Sequence, residues 1–229
     1  MTSPAPRHPG VLFDVDGTLL DTNYQHVLAW ALAFRDAGYD AVDLAAVHRL
    51  IGRSSPELVA ELIGEADAPV IDEVVEGHSR RYEQMRELLE PRIVTGGAEL
   101  VVRCAESGLR VVLATSASEE DLKWMGPALG VEAHVYGVTT ASHVEESKPA
   151  PELLELAIEE NDLDPERTVM VGDAVWDVLA GRRAGLRCIG VTSGGTGAGE
   201  LGDAGADEVW AGASDLLAHW DESLLSRLT

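Results

Sequence analysis

The sequence predicts an α/β fold: a doubly wound, Rossmann-like parallel sheet with an all-helical segment inserted after its first strand. Three observations lead there. Short valine-rich apolar runs show little polar alternation, which suits strands buried on both faces. Helix-sized amphipathic stretches separate most of them, and strands alternating with helices read as a parallel sheet flanked by helices. One interval of about 70 residues breaks that rhythm, with helical periodicity and no convincing strand.

Taken in order, the expected strands are VLF (11–13), RVVLAT (110–115), AHVYGV (133–138), TVMVG (168–172), RCIGV (187–191) and DEVW (207–210). The expected helices of the layered part are 96–107, 118–129, 151–160, 176–184 and 213–226. In the interval, NYQHVLAWALAFRDAG, DLAAVHRLIG, SPELVAELIG and APVIDEVVEGHSRRYEQMRELL each carry the periodicity of a helix. Asp43 and Ser54 or Ser55 ahead of Pro56 are N-cap candidates, and Gly38, Gly52 and Gly64 are candidate stops. The division that follows is a discontinuous core of residues 1–20 and 93–229 and a helical cap of residues 21–92. An insert so placed packs over the carboxyl ends of the sheet strands, where α/β folds bind ligands. The Gly-rich SGGTGAGELGDAG (193–205) reads as a surface loop around a short helix.

Composition sets outer limits. The 229 residues include 40 acidic and 17 basic side chains, a formal charge of −23, with 45% hydrophobic and 25% charged residues. That is the composition of a globular chain long enough to hold a real core. Nucleic-acid binding needs clustered Lys and Arg to displace counterions, and no basic stripe exists; anionic membrane surfaces are disfavoured for the same reason. The acidity fits a solvated surface, a saline habitat or carboxylates that bind a cation, and composition does not separate these. Only Lys123 and Lys148 are lysines. Cys104 and Cys188 stand far apart with no metal-ligand spacing, which suits a reduced cytoplasmic setting. MTSPAPRHPG lacks the apolar centre of a signal peptide, and no run of about 18 apolar residues occurs. The expectation is a cytoplasmic protein, monomer or homodimer, without nucleic-acid or membrane partners.

The first strand runs into Asp14-Val15-Asp16-Gly17-Thr18. Asp14 and Asp16 project from the same side of an extended segment, and Gly17 permits a tight turn after them. Paired carboxylates at a strand's carboxyl end can bind a divalent cation, with one free to attack phosphorus. Alone, the same residues also fit an Asx-type turn.

Four motifs in order resolve that choice: FDVDGTLLD (13–21), VVLATSAS (111–118), Lys148 in ESKPAPELL, and VMVGDAVWD (169–177). Together they resemble the haloacid dehalogenase superfamily, specifically its phosphatases with a helical cap after the first motif. The likeness spans about residues 11–210 and implies the fold reached from periodicity. It implies Asp14 as a nucleophile that forms an aspartyl-phosphate, and Asp16 as general acid and then general base. It implies Mg²⁺ held by the Asp14 and Asp173 carboxylates and the Asp16 backbone carbonyl, with Lys148 neutralising the remaining charge. Thr115 and the Ser116 backbone would bond the phosphoryl group, and Asp177 would bind metal waters or orient Lys148. Ser147 and Pro149 look like framing. Asp14 and Asp173 would raise the Asp16 pKa and a bound metal would lower it, which leaves the net direction open. An Asp at position 16 favours phosphate esters, since dehalogenases and phosphonate-cleaving relatives usually lack it.

In the cap, Asp21-Thr22 reads most simply as a turn or helix cap. His26 and Trp30 share a helix face, as in the cap helix of sugar-phosphate mutases and phosphatases; core packing explains them equally simply. Arg53 lies on a loop that family members point at the substrate, where it would pair with a carboxylate or second phosphate. The β-phosphoglucomutase branch resembles the chain up to Trp30, but its two phosphate-binding cations fall at Ser55 and Ser118. The implied activity is therefore hydrolysis of a small phosphomonoester, of the phosphoglycolate or sugar-phosphate type. The alternatives are a phosphosugar mutase and a non-catalytic binding protein on the same scaffold.

Overall fold

The computed structural model describes residues 7–64, 67–143 and 148–228. In chain order the elements are β1 (His8–Phe13), β2 (Leu20–Asp21), α1 (Asn23–Asp36), α2 (Leu44–Leu50), α3 (Ser55–Ile63) and α4 (Ala68–Leu88). There follow β3 (Arg92–Ile93), α5 (Gly97–Glu106), β4 (Arg110–Thr115), α6 (Glu119–Leu129), β5 (Gly137–Thr140) and α7 (Glu152–Glu160). The chain ends with β6 (Leu163–Gly172), α8 (Val175–Arg183), β7 (Arg187–Val191), α9 (Ala198–Asp203), β8 (Glu208–Trp210) and α10 (Ala213–Ala218).

Six strands form one sheet in the order β5-β4-β1-β6-β7-β8, every pair parallel. The chain runs outward from β1 through β4 to β5, then returns to the other side of β1 at β6. The order therefore reverses at β1, and the crevice at its carboxyl end is where such sheets bind ligands.

Alternation along the strands explains their apolar runs. Val11 and Phe13 join Val111, Leu113, Val169 and Val171 in a cluster on one face. Leu12 joins Val112, Met170 and Cys188 on the other. Both faces are covered by helices, so the central strands are buried throughout 10–13, 111–115 and 168–172. Cys104 and Cys188 are buried and unpaired, and burial pushes both thiols up, Cys188 to about 12.

Helices α1 to α4 form the expected helical insert around a cluster of their own, built on Val27, Trp30, Phe34, Val47, Leu58 and Val74. Asp43 caps α2, its side chain accepting from the Ala45 N–H; Ser54 precedes α3; and the chain leaves α1, α2 and α3 through Gly38, Gly52 and Gly64. A short antiparallel pair, Leu20 with Ile93 and Asp21 with Arg92, joins entry and exit of the insert. Two residues per strand are too few to leave a periodic signal in sequence.

Some expected boundaries move. The strand expected at 133–138 lies at Gly137–Thr140, and Glu132–His134 is a 3₁₀ turn. Register decides this: as an edge strand β5 pairs only with β4, Val112 opposite Gly137, and leaves Tyr136 and Val138 exposed. The last helix stops at Ala218 rather than 226 and gives way to 3₁₀ turns around buried Trp220 and Leu225. Residues 198–203 of the Gly-rich patch are helical, as expected, but the loop before them is not merely surface.

Candidate active site

The site begins where β1 stops. Gly17 takes φ +78° and donates its N–H to Leu20 O at 2.7 Å, folding the chain back immediately after Asp16. Asp14 and Asp16 are thereby fixed at the carboxyl end of the central strand, and both line a cavity of about 720 Å³ between sheet and insert.

Lys148 is fully buried and reaches the same point from the segment before α7. Its Nζ lies 2.6 Å from Asp14 Oδ1, 2.8 Å from Asp177 Oδ1 and 3.0 Å from Ala114 O. Burial alone would lower the lysine, but its two carboxylate partners outweigh that and hold it above its ordinary value. Asp177 spends its other oxygen on the Ala174 N–H at 3.0 Å. Both its oxygens are thus engaged, which suits a residue that orients Lys148.

Asp173 is held by neighbours on two other segments. Thr18 donates to its Oδ1 at 3.1 Å, and Asn23, the first residue of α1, donates to its Oδ2 at 2.7 Å. Asn23 also donates to Gly194 O, 3.1 Å away, and His48 Nε2 lies 2.9 Å from the same oxygen. Residue 194 must be glycine, because a Cβ there would overlap the Asp173 carboxylate. Burial, then repulsion from Asp177, raises the Asp173 carboxyl to about 8 despite its hydrogen bonds from Asn23 and Thr18. Burial likewise pushes Asp14 well up; Lys148 opposes the rise, and Asp177, Asp173 and Asp16 add to it.

Oxygens of Asp14, Asp173 and Asp177 lie within 4.8 Å of one another. Lys148 meets two of these three buried carboxylates, Asp14 and Asp177, and Asp173 has no cationic partner among the described residues; ionising all three in this desolvated place calls for further positive charge. An all-oxygen donor set of this kind suits a hard divalent cation. The Asp16 carboxylate stands outside the cluster, which leaves its backbone as the part available to a metal.

The Asp16 side chain turns toward the insert instead. Its Oδ1 accepts a short hydrogen bond from Thr22 and lies 3.3 Å from His26 Nε2. Burial would raise this carboxyl, but the charge and hydrogen bond of His26, the bond from Thr22, and Lys148 hold it below the usual range. The sequence left the direction open between its carboxylate neighbours and a bound metal; in the structure His26 and Thr22 of the insert, with Lys148, decide it downward. His26 Nδ1 is 3.1 Å from His78 Nε2, and the His26 ring stacks on Tyr82 with centres 3.8 Å apart. Trp30 stacks on His78 at 3.9 Å, so it both fills the insert's core and walls the cavity. Burial, with repulsion from His26, keeps the His78 imidazole far below its ordinary pKa and therefore neutral.

At the end of β4, Thr115 is buried and its Oγ1 accepts from the Ala117 N–H at 3.0 Å. The Ser116 hydroxyl donates to Gly52 O at 3.1 Å, tying the insert to the strand end. Arg53 lines the cavity, but its guanidinium meets Glu57 and Glu61 at 3.5 and 3.8 Å and lies over the Trp176 ring. Ser118 is the N-cap of α6, accepting from the Asp121 N–H. Ser147 lies outside the described residues.

Thr22, Asn23, His48, His78, Tyr82, Arg86 and Trp124 are site residues that sequence reasoning did not single out. Thr22 stands at the N-cap position of α1, yet its side chain makes no capping bond and serves Asp16. His78, Tyr82 and Arg86 recur every four residues along α4, a stripe that the sequence does carry.

A family model described as haloacid dehalogenase-like hydrolase matches residues 8–185. The chain belongs to that family. A probable phosphatase, IndB, of Dickeya dadantii (strain 3937) is 32% identical over 191 residues, 81% of this chain and 82% of the relative. An N-acetylmuramic acid 6-phosphate phosphatase of Pseudomonas aeruginosa is 31% identical over 190 residues, 82% of this chain and 83% of the relative. A crystal structure of a hydrolase from Pseudomonas syringae superposes with a TM-score of 0.86 at 32% identity, covering 93% of this chain and 98% of that one. Phosphatases among such relatives support a phosphoric monoester hydrolase, as the haloacid dehalogenase motifs led us to expect. No helix among the described residues is long and apolar enough to cross a membrane.

Proposed function

We propose that the protein is a Mg²⁺-dependent phosphatase that hydrolyses a small phosphorylated metabolite through an aspartyl-phosphate on Asp14, with residues 21–92 acting as a cap over the site. The observation that carries this reading is the division of labour between the two carboxylates of one turn. Asp14 is gripped by Lys148 beside the acidic cluster, while Asp16, two residues on, is turned away to Thr22 and His26. One is placed to attack and the other to exchange protons.

In the first step an Asp14 carboxylate oxygen bonds to phosphorus as the bond to the leaving oxygen breaks, and Asp16 delivers a proton to that oxygen. In the second, Asp16 takes a proton from the water that attacks the aspartyl-phosphate, restoring Asp14 and releasing phosphate. The free enzyme holds Asp16 ionised. An arriving phosphate adds negative charge beside it, which opposes His26 and Thr22 and raises its proton affinity when an acid is needed. Lys148 offsets the charge of the attacking and transferred groups from a fixed position. In this reading Thr115 and the Ser116 N–H would bond the phosphoryl oxygens. A divalent cation on Asp14, Asp173 and the Asp16 carbonyl would supply Lewis-acid charge at the same oxygens.

A phosphosugar mutase needs an anchor for a second phosphate. Position 55 is a serine here, and Ser118 is committed to capping α6. Two buried, unpaired thiols suit a reducing cytoplasm. The test is phosphate release from a panel of phosphorylated metabolites by the purified protein with and without Mg²⁺. Metal-dependent release that disappears in Asp14→Asn is expected; undiminished turnover in that variant would sink the assignment.

A further inference from the structure

One wall of the cavity is built from insert and core together. Asp16, His26, Tyr82 and Arg86 form a row leading outward from the proposed acid: His26 contacts Asp16, Tyr82 stacks on His26, and Arg86 Cζ lies 5.8 Å from the Tyr82 ring centre. From there Arg86 reaches across to the core, where its Cζ sits 4.6 Å from the ring centre of Trp124 on α6. Trp124 is itself steadied by donating its indole N–H to Asp121 at 3.3 Å.

The cations lining this cavity differ in one respect. Arg53 is met by Glu57 and Glu61, Arg80 by Glu76, and Lys123 by Glu120. Arg86 makes no ion pair among the described residues, and its buried Nε, like that of Arg53, has no hydrogen-bond partner. A half-buried guanidinium laid on aromatic rings keeps its edge free for a planar anion, while the rings replace part of its lost hydration. We infer that Arg86 binds a carboxylate on the leaving group, so that the substrates are phosphomonoesters of hydroxy acids or sugar acids. This deepens the phosphatase reading and rests on it.

The charge count favours a carboxylate over a second phosphate. Glu83 and Asp121 also line the cavity, and beside these carboxylates one unpaired guanidinium balances a single negative charge, not two. The stacked faces of Tyr82 and Trp124 suit the C–H side of a sugar or short carbon chain between the two anionic ends.

Competition against p-nitrophenyl phosphate hydrolysis tests this with esters that differ in one group. Gluconate 6-phosphate is compared with sorbitol 6-phosphate, and glucuronate 1-phosphate with glucose 1-phosphate and glucose 1,6-bisphosphate. The carboxylate ester should compete at roughly tenfold lower concentration or better than its neutral partner in at least one pair, as a charge-assisted contact implies. Arg86→Met should bring that ratio near one, and Arg86→Lys, which keeps the charge but not the planar fork, should retain part of it. Ratios near one in the wild-type enzyme overturn the inference whether or not the variants fold. So does a ratio that survives Arg86→Met, or glucose 1,6-bisphosphate competing better than glucuronate 1-phosphate. Absence of any p-nitrophenyl phosphate hydrolysis with Mg²⁺ present instead defeats the phosphatase reading beneath it.

Discussion

Replacing Gly194 by alanine should weaken metal binding although residue 194 lies in none of the sequence motifs. A Cβ at this position would overlap the Asp173 carboxylate and stand 2.5 Å from Asn23 Nδ2, whereas real Cβ contacts are essentially never under 3.0 Å. Neither neighbour is the free end of a flexible chain: Asn23 is buried at the start of α1 and bonds Asp173 at 2.7 Å. The carboxylate must therefore retreat, losing that hydrogen bond and displacing an oxygen offered to the cation. Mg²⁺ demands near-ideal octahedral geometry, and loss of a group that orients a ligand typically costs about 10–100-fold in metal affinity. Overpacking adds about 1–3 kcal/mol of instability. Calorimetric Mg²⁺ titration and the Mg²⁺ dependence of turnover measure the first effect, and thermal melting the second. Gly199→Ala is the control, since its Cβ would meet nothing within 4 Å. A Gly194→Ala protein with unchanged Mg²⁺ half-saturation would refute the placement of Asp173 in the metal site.

Lys148→Met leaves Asp14 and Asp177 buried without their shared cation, so turnover should vanish and stability fall by about 3–5 kcal/mol, visible as a lowered melting temperature; an unchanged melting temperature contradicts the ion-pair geometry. The metal-free protein should lose stability as pH rises through about 8, the value to which Asp173 is raised, because the folded state binds this proton more tightly than the unfolded chain does. Mg²⁺ binds the ionised form, so its gain in melting temperature should grow between pH 6 and pH 9; a constant gain argues against the shift. Asp16→Asn should reduce steady turnover of p-nitrophenyl phosphate by about 10²–10⁴-fold. p-Nitrophenolate leaves without acid assistance while the water step still needs its base, so stopped-flow traces should show a burst of one product per site. A slow linear trace without a burst contradicts the second role of Asp16.

What the sequence made legible depended on how local the signal was. Asp14, Asp16, Lys148 and Asp173 sit at strand ends and helix starts within short motifs, and the sheet brings those ends together as expected. Strands buried on both faces advertised themselves as unbroken apolar runs. β5 did not, because an edge strand pairs on one side only, and its Val138 and the preceding Tyr136 stay exposed. The insert's contribution was harder to read. Thr22 and Asn23 look like an ordinary helix start, and only the tertiary fold shows them bonding Asp16 and Asp173. His78, Tyr82 and Arg86 share one face of α4, but in sequence they pass for the solvated side of an amphipathic helix. Gly194 carried no chemistry of its own, and its role exists only through the carboxylate that presses against it.

The most direct test of the account is to find the residue that carries the phosphoryl group. Acid quenching during turnover, followed by borohydride reduction and peptide sequencing by mass spectrometry, converts an aspartyl-phosphate to homoserine at its own position. The account predicts homoserine at position 14, dependent on Mg²⁺ during labelling and absent without substrate. Homoserine at another aspartate, or full turnover by Asp14→Asn with no residue labelled, would contradict it.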